Sequence, residues 1–321
     1  MSLIPQADHA IISRLKAAVL GMIGSFILFA AYLVVPPVGI FSGVLAPFPA
    51  CYVRLRYGRM PSAILTFGVT AAVSALFGIF AGCLYLGMCG IIGMLMPELL
   101  ARGFSGSLAL FWTTSAIMIV MTAGISIYST STGQDIQQFV SAEIASSLNQ
   151  AMLIYENGGV KGEDLDIIKQ SMKMVADLMY RLYPAFATVI FIIMSGCNLV
   201  LLKRTTAISK TSLNIGEFAA FKNPDMLVWL LIASGFSLLM PSPLITTPAL
   251  NLLVIVALLY FLQGMAVIGA VISKRSLPRV LRVGLYVMLV LQPYLAIVIA
   301  AIGLCDLWID FRTPNPNKQD K

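Results

Sequence analysis

Residues 248–272 read PALNLLVIVALLYFLQGMAVIGAVI, and this stretch decides the fold class of the chain. It contains no charged residue, and its only strongly polar side chains are those of Asn251 and Gln263. A helix of about 20 apolar residues is long enough to cross the hydrocarbon core of a bilayer. Because that core offers no water to the backbone, a single segment that crosses it has to be helical. The stretch therefore predicts a transmembrane helix.

The composition of the whole chain agrees with this prediction. Of its 321 residues, 59% are hydrophobic and 11% are charged, and the mean hydropathy is +0.91. In soluble domains about 25% of residues are charged. We therefore predict an all-α fold, a polytopic transmembrane helical bundle of about eight to nine spans. The apolar segments considered as spans are 17–35, 38–53, 61–79, 80–96, 107–127, 183–202, 226–240, 248–272 and 284–305.

Two of these segments are interrupted or short. Segment 38–53 contains Pro47 and Pro49, and segment 226–240 is followed by PSPLITTP at residues 241–248. Broken helices are tolerated at membrane depth only where protein or water covers the freed backbone groups. Either segment could therefore be a broken or re-entrant helix.

A polar segment separates two groups of spans. Residues 1–128 are predicted to form an N-terminal transmembrane half of about five spans, and residues 182–305 a C-terminal half of about four spans, followed by a polar tail at 306–321. Residues 129–181 carry apolar side chains at helical spacing on both sides of an NGG turn, which predicts an amphipathic helical hairpin. This hairpin is either a spacer or a lid over a cavity. The apolar residues are Ile136, Phe139, Val140, Ile144, Leu148, Met152, Tyr155, Leu165, Ile168, Met172, Val175, Leu178 and Met179.

The distribution of charge predicts the orientation in the membrane. The formal net charge is +7, and the basic residues concentrate in alternate short loops, as in cytoplasmic loops. We predict a multi-pass protein of the bacterial inner membrane whose N-terminus is cytoplasmic. The acidic hairpin is then extracytoplasmic, and nine crossings also place the C-terminus outside. Because the basic loops lack a stripe of stacking aromatic residues, the predicted partner is the lipid bilayer and not a nucleic acid.

The sequence lacks the common catalytic patterns. His9, before the first span, is the only histidine, which excludes an HExxH zinc site and the usual Ser-His relay inside the bilayer. No GxxxxGK[ST] loop occurs, so we expect no ATP hydrolysis by this chain. The GFSG sequence at residues 103–106 has no histidine partner, and the five cysteines form no CxxC pair. We predict that the protein is not an enzyme and has no catalytic residue, cofactor or metal ligand.

Polar side chains within or at the ends of the spans are the candidate substrate-binding residues, because each costs free energy in a bilayer unless it is partnered. Amides also join helices by hydrogen bonds, so a structural role stays open for them. Because Pro293 removes a backbone donor after Gln292, we expect a polar notch within the last span. The candidate residues are Asn198, Gln263, Gln292, Asp306, Asp310 and Arg312.

The last of these residues lie in GLCDLWIDFR, at positions 303–312. If the final helix continues, Asp306 and Asp310 share one face, and Arg312 can reach back toward a carboxylate. We expect Asp306 at the hydrocarbon boundary with its carboxylate facing the bundle or a wet pocket, as a structural cap or as a site residue. Trp308 is typical of an anchor at headgroup level.

Four features occur together in this order: APFPACYVRLRYGR at residues 46–59, the acidic hairpin, FLQG at residues 261–264, and GLCDLWIDFR. With them the chain resembles, over nearly its whole length, the YybS-like family of uncharacterised bacterial membrane proteins. That family is distantly similar to the S components of energy-coupling factor transporters. The resemblance implies substrate capture by a helical membrane protein that works with a membrane coupling subunit and cytoplasmic ATPases.

Two functions remain as hypotheses. The first is small-molecule binding related to transport, with an unknown ligand and without an ATPase of its own. The alternative is a non-transporting membrane scaffold or regulator that recruits protein partners. The substitutions Gln263→Leu and Gln292→Leu should impair the first function and spare the second. An enzyme acting on lipid-linked substrates is a third and weaker hypothesis.

Overall fold

The computed structural model describes residues 5–133, 136–159, 161–208, 213, 215–274, 284, 292–309 and 311–312. Within this part of the chain the regular structure is entirely helical. The chain divides into two compact units, Met1–Ile136 with Ile190–Ile215, and Gln137–Val189 with Gly216–Lys321.

The first unit contains seven helices and the end of another among its described residues. A π-helical turn at Leu86–Gly90 joins the helices Ile79–Tyr85 and Ile91–Ala101. Gly78, with φ of +94°, separates this pair from the helix before it. The helices are α1 (Pro5–Val34), α2 (Pro36–Leu45), α3 (Phe48–Tyr57), α4 (Arg59–Phe77), α5 (Ile79–Tyr85), α6 (Ile91–Ala101) and α7 (Gly106–Thr132).

The second unit contains the hairpin and the C-terminal helices. Helix α9 passes from the second unit into the first, because its residues from Ile190 onward belong to the first. A 3-10 turn lies at Phe218–Ala220. The helices are α8 (Ile136–Asn157), α9 (Glu163–Ile208), α10 (Leu227–Ser237), α11 (Pro243–Lys274) and α12 (Pro293–Cys305).

In the described part of the chain, six helices are long and apolar enough to cross a membrane, and two shorter helices are also apolar. The predicted fold class, an all-α polytopic membrane bundle, is therefore confirmed. The exact number of spans stays a prediction. The six are Ile12–Val34, Arg59–Phe77, Ile79–Ala101, Gly106–Ser131, Glu163–Thr205 and Pro243–Ser273, and the shorter two are Leu227–Ser237 and Tyr294–Cys305.

The predicted break in segment 38–53 is confirmed, because α2 ends at Leu45 and α3 begins at Phe48. The freed backbone is covered by side chains of other helices. The hydroxyl of Ser25 donates to the carbonyl of Ala46 at 2.7 Å, and the amide of Asn198 donates to that of Val44 at 2.8 Å. A broken helix in a membrane requires such partners.

Helix α9 is a single helix of 46 residues, so the second arm of the hairpin continues directly into the next span. Pro184 lies inside it and cannot donate a backbone hydrogen bond. One residue later, the backbone N–H of Ala185 donates to Oδ1 of Asn251 at 2.9 Å, and Nδ2 of Asn251 donates to the carbonyl of Arg181 at 2.7 Å. An uninterrupted helix would join this amide and this carbonyl directly. Asn251 of α11 therefore replaces one backbone bond of α9.

Helices α11 and α12 touch through two glycines. A Cβ atom on Gly303 would overlap the carbonyl oxygen of Tyr260, and one on Gly264 would overlap that of Ile299. Small residues at such positions let membrane helices approach closely. This contact brings the end of α12 against the side of α11 where Gln263 lies.

Candidate functional site

Asp306 is the centre of a buried polar cluster in the second unit. It is the C-cap residue of α12, and only 4% of its surface is exposed. Its Oδ2 accepts from Nε2 of Gln263 at 2.9 Å and from Nη2 of Arg312 at 2.7 Å. Arg312 thus reaches back to a carboxylate, that of Asp306, although the sequence analysis expected this contact on a helix that continues and the helix ends at Cys305.

The same cluster fixes the segment before α10. Arg312 donates to the backbone carbonyls of Ala219 at 2.9 Å and Phe221 at 2.8 Å. Oε1 of Gln263 accepts from the backbone N–H of Asn223 at 3.1 Å, and the Asn223 side chain donates to the carbonyl of Leu259 at 2.8 Å. Each of these groups has its partners, and the two charges balance. This Asp306 cluster thus joins α11, the end of α12 and residues 219–223 through hydrogen bonds and one ion pair.

Three of the six candidate residues, Gln263, Asp306 and Arg312, therefore belong to one cluster. The sequence analysis missed Asn223, which lies outside the apolar segments and has no signal there except the Asn-Pro pair of a turn. Asn198 lies in the first unit, where it donates to the carbonyls of Val44 and Met194.

The remaining two candidates require separate comment. Helix α12 begins at Pro293, and Gln292 is its exposed N-cap residue without a side-chain cap bond. The expected notch inside a helix is thus a helix start, a position where proline fits because no backbone donor is needed. Asp310 lies outside the described residues. The final helix ends at Cys305, so the expected continuation of this helix past Asp306 is not observed.

A second charged cluster lies in the first unit, around Glu98 in the last turn of α6. The guanidinium groups of Arg54, Arg59 and Arg102 all contact this carboxylate, with Nε of Arg59 at 3.2 Å and Nε of Arg102 at 3.0 Å. Burial lowers the pKa of the Arg54 guanidinium, and the positive charges of Arg59 and Arg102 lower it further. An arginine side chain is not deprotonated at neutral pH in proteins, so the group is still charged.

The hairpin encloses the third feature, a cleft of about 730 Å³ between α8 and α9. Half-buried side chains at four-residue spacing face it from both helices, Leu148 and Met152 from α8, and Met172 and Ala176 from α9. An ion pair between Glu156 and Lys169, with 3.9 Å between oxygen and nitrogen, also lies at this cleft. Four of the apolar residues predicted for the two faces of the hairpin line this cleft, namely Ile144, Leu148, Met152 and Met172.

The long apolar helices define a polytopic membrane protein. A family model described as "Predicted membrane protein (DUF2232)" matches residues 24–307, and the chain belongs to this family. Comparison with curated proteins and comparison with solved structures gave no match. Among the described residues, no group of three His, Cys, Asp or Glu side chains is placed to hold a metal ion.

Proposed function

We propose that the protein binds a small molecule on the hairpin side of the membrane and takes part in its transport, in the manner of an S component. The observation that carries this proposal is the cleft of about 730 Å³ between α8 and α9. Pockets for small ligands usually have about 300–1,000 Å³, mostly apolar walls and a few polar groups that orient the ligand. The cleft has this size and this lining.

The charged residues at the cleft favour an amphipathic ligand. Glu156, Lys169, Lys173 and Asp177 line it together with apolar side chains. A ligand with an apolar body and a polar or ionic end would bury its body between the helices and pair its end with one of these charges. The proposal includes no catalytic step, and it assigns the energy for transport to a membrane coupling subunit and cytoplasmic ATPases.

The discontinuous helix α2–α3 supports the transport part of the proposal. Transporters commonly place binding sites at breaks in spanning helices, where backbone groups become available. Here Ser25 and Asn198 donate to the backbone carbonyls at the break, and Oδ1 of the buried Asn198 has no hydrogen-bond partner among the residues that the structure describes. In this proposal the bacterial inner membrane is the location, the N-terminus is cytoplasmic, and the hairpin is extracytoplasmic.

Thermal-shift screening of the purified protein against vitamins, metals and lipid precursors tests the proposal. A compound that stabilises the wild type should lose this effect in Leu148→Gln, because Leu148 lines the cleft. The control is Ile154→Gln, since Ile154 lies on the same helix but is 72% exposed and does not line the cleft. Indifference to all compounds, together with unchanged cellular uptake in a deletion strain, would contradict the proposal.

The alternative function is that of a scaffold or regulator, and one observation favours it. Large apolar side chains on the hairpin, such as Ile154, Ile167 and Met174, are exposed. Exposed apolar surface marks protein or membrane contacts. This alternative predicts that crosslinking from position 154 recovers a stable protein partner and that Leu148→Gln leaves the function intact.

A further inference from the structure

The Glu98 cluster has an excess of positive charge. Three guanidinium groups, from α3, α4 and the residue after α6, meet one carboxylate. One negative charge neutralises one of them, so two positive charges stay uncompensated within the cluster. The sequence analysis used these arginines only to orient the loops, and the proposed function does not involve them.

Glu98 uses all of its hydrogen-bond acceptor positions, whereas the arginines keep N–H donors that do not contact it. Its Oε2 accepts from Nη2 of Arg54 and Nε of Arg59, and its Oε1 accepts from Nη2 of Arg59 and Nε of Arg102. A carboxylate offers about four acceptor positions, whereas each guanidinium has five N–H donors. The side chains of Arg59 and Arg102 are 70% and 63% exposed. Most of their donors are thus accessible to another acceptor.

The cluster lies at the ends of two predicted spans. Arg59 is the first residue of the span Arg59–Phe77, and Arg102 directly follows the span Ile79–Ala101. Arginines at such positions lie at the level of the lipid headgroups. Basic groups between the ends of membrane helices are suited to phospholipid headgroups.

An apolar stripe begins beside the cluster. Met60, Ile64 and Phe67 are exposed, and their spacing of four and three residues places them on one face of α4. Met60 is the neighbour of Arg59 in the chain. A molecule that carries an anionic phosphate and an acyl chain matches this pairing of charge and apolar surface, whereas inorganic phosphate matches only the charge.

The start of α4 adds a second source of positive potential. Helix α4 begins at Arg59, and its N-cap residue Gly58 provides no side-chain cap. The first backbone N–H groups of a helix and the helix dipole favour a nearby anion. The guanidinium fork of Arg59 suits the oxygens of a phosphate, with which it can form two parallel hydrogen bonds.

We propose that Arg59 and Arg102, held in place by Glu98, bind the phosphate of an anionic phospholipid whose acyl chain lies along Met60, Ile64 and Phe67. Arg54 is mostly buried and compensates the charge of Glu98. Glu98 acts as a positioning residue because it fixes both exposed guanidinium groups.

Native mass spectrometry of the purified full-length protein tests this proposal, with phosphatidylglycerol and phosphatidylcholine as the added lipids. The wild type should bind phosphatidylglycerol more tightly. Arg59→Gln should weaken phosphatidylglycerol binding about fivefold, as expected for one basic residue at an anionic headgroup, and should leave phosphatidylcholine binding unchanged. If Arg59→Gln does not fold, Arg102→Gln provides the same test.

The matched control is Arg56→Gln, because Arg56 is exposed on α3 and is not one of the arginines that contact Glu98. Equal binding of the two lipids by the wild type would overturn the proposal. An equal loss in Arg56→Gln would also overturn it, since it would indicate a general effect of charge. Displacement of the lipid by an equal concentration of inorganic phosphate would show that the acyl chain contributes nothing, and it would assign the site to free phosphate instead.

Discussion

Glu98 and Asp306 are both carboxylates at the end of an apolar helix, and both pair with arginine, yet their surroundings differ. Asp306 is almost fully buried and pairs with one arginine, Arg312, while Gln263 donates to it as well. Glu98 has three arginine partners, two of which are largely exposed. A carboxylate–arginine contact can therefore join buried segments when its charges balance, or leave arginine donors accessible to another ligand when arginines are in excess and exposed.

The largest effect should come from removing the buried carboxylate. Asp306→Ala removes the carboxylate that balances the charge of Arg312, and breaking a buried pair in this way costs about 3–5 kcal/mol. Equilibrium unfolding of the purified protein measures this loss. Asp306→Asn is the milder variant because it retains the size of the side chain. If Asp306→Ala is as stable as the wild type, the cluster does not stabilise the contact between α11, the end of α12 and residues 219–223.

A smaller loss should follow from separating α11 and α12. In Gly303→Ala the new methyl group meets the backbone of Tyr260 and pushes α12, with Asp306, away from Gln263. Overpacking of this kind costs about 1–3 kcal/mol. Thermal unfolding checks the value. Gly124→Ala in α7 is the control, because a Cβ there has no atom within 4 Å, and similar losses in both variants would contradict the close contact.

A substitution in the Glu98 cluster should lower the free energy of unfolding by less, and the loss should depend on salt. Glu98→Gln should cost about 1 kcal/mol, since two of the three partners of Glu98 are exposed and solvent weakens such pairs. Added salt should reduce this difference between the wild type and Glu98→Gln, because salt screens exposed charges. The corresponding difference for Asp306→Asn should hardly change with salt. Unfolding measured at low and high ionic strength compares the two, and the same salt dependence in both would remove the distinction.

The smallest effect on stability should come from a substitution of Trp308, beside the Asp306 cluster. This side chain is 70% exposed, although it is only two residues from Asp306. Trp308→Leu should change the free energy of unfolding by less than about 0.5 kcal/mol, as is usual for surface substitutions.

Fluorescence quenching by brominated lipids, with Trp112 and Trp229 replaced by Phe, measures the depth of Trp308 in the membrane. Quenching is expected near the headgroups, and none at any depth would exclude an anchor.

Apolar runs and prolines were sufficient to predict the fold class and the break before Phe48. Both depend on local chemistry, since the length of an apolar run and a missing backbone donor can be read from the sequence. The contact between Arg312 and Asp306 was also predictable because only six residues separate the two.

The other features depend on contacts between distant residues. Asn223 and Gln263 are 40 residues apart, and Arg54 and Glu98 are 44 apart. The close approach of α11 and α12 at Gly264 and Gly303 likewise joins residues that are far apart in the sequence. The continuity of α9 was not predicted, because Pro184 and the change from an amphipathic to a uniformly apolar pattern both indicate a boundary.

The replacement of a backbone bond in α9 by Asn251 has a consequence for biogenesis. Asn251 is 66 residues from Ala185, so the ribosome synthesises this turn of α9 before it synthesises Asn251, whose side chain forms the two hydrogen bonds. The two hydrogen bonds from Asn251 can form only after α11 has followed α9 into the membrane. Until then, the helix around Pro184 lacks its lateral support. This turn of α9 therefore acquires its two hydrogen bonds to Asn251 only after the chain has been synthesised as far as α11.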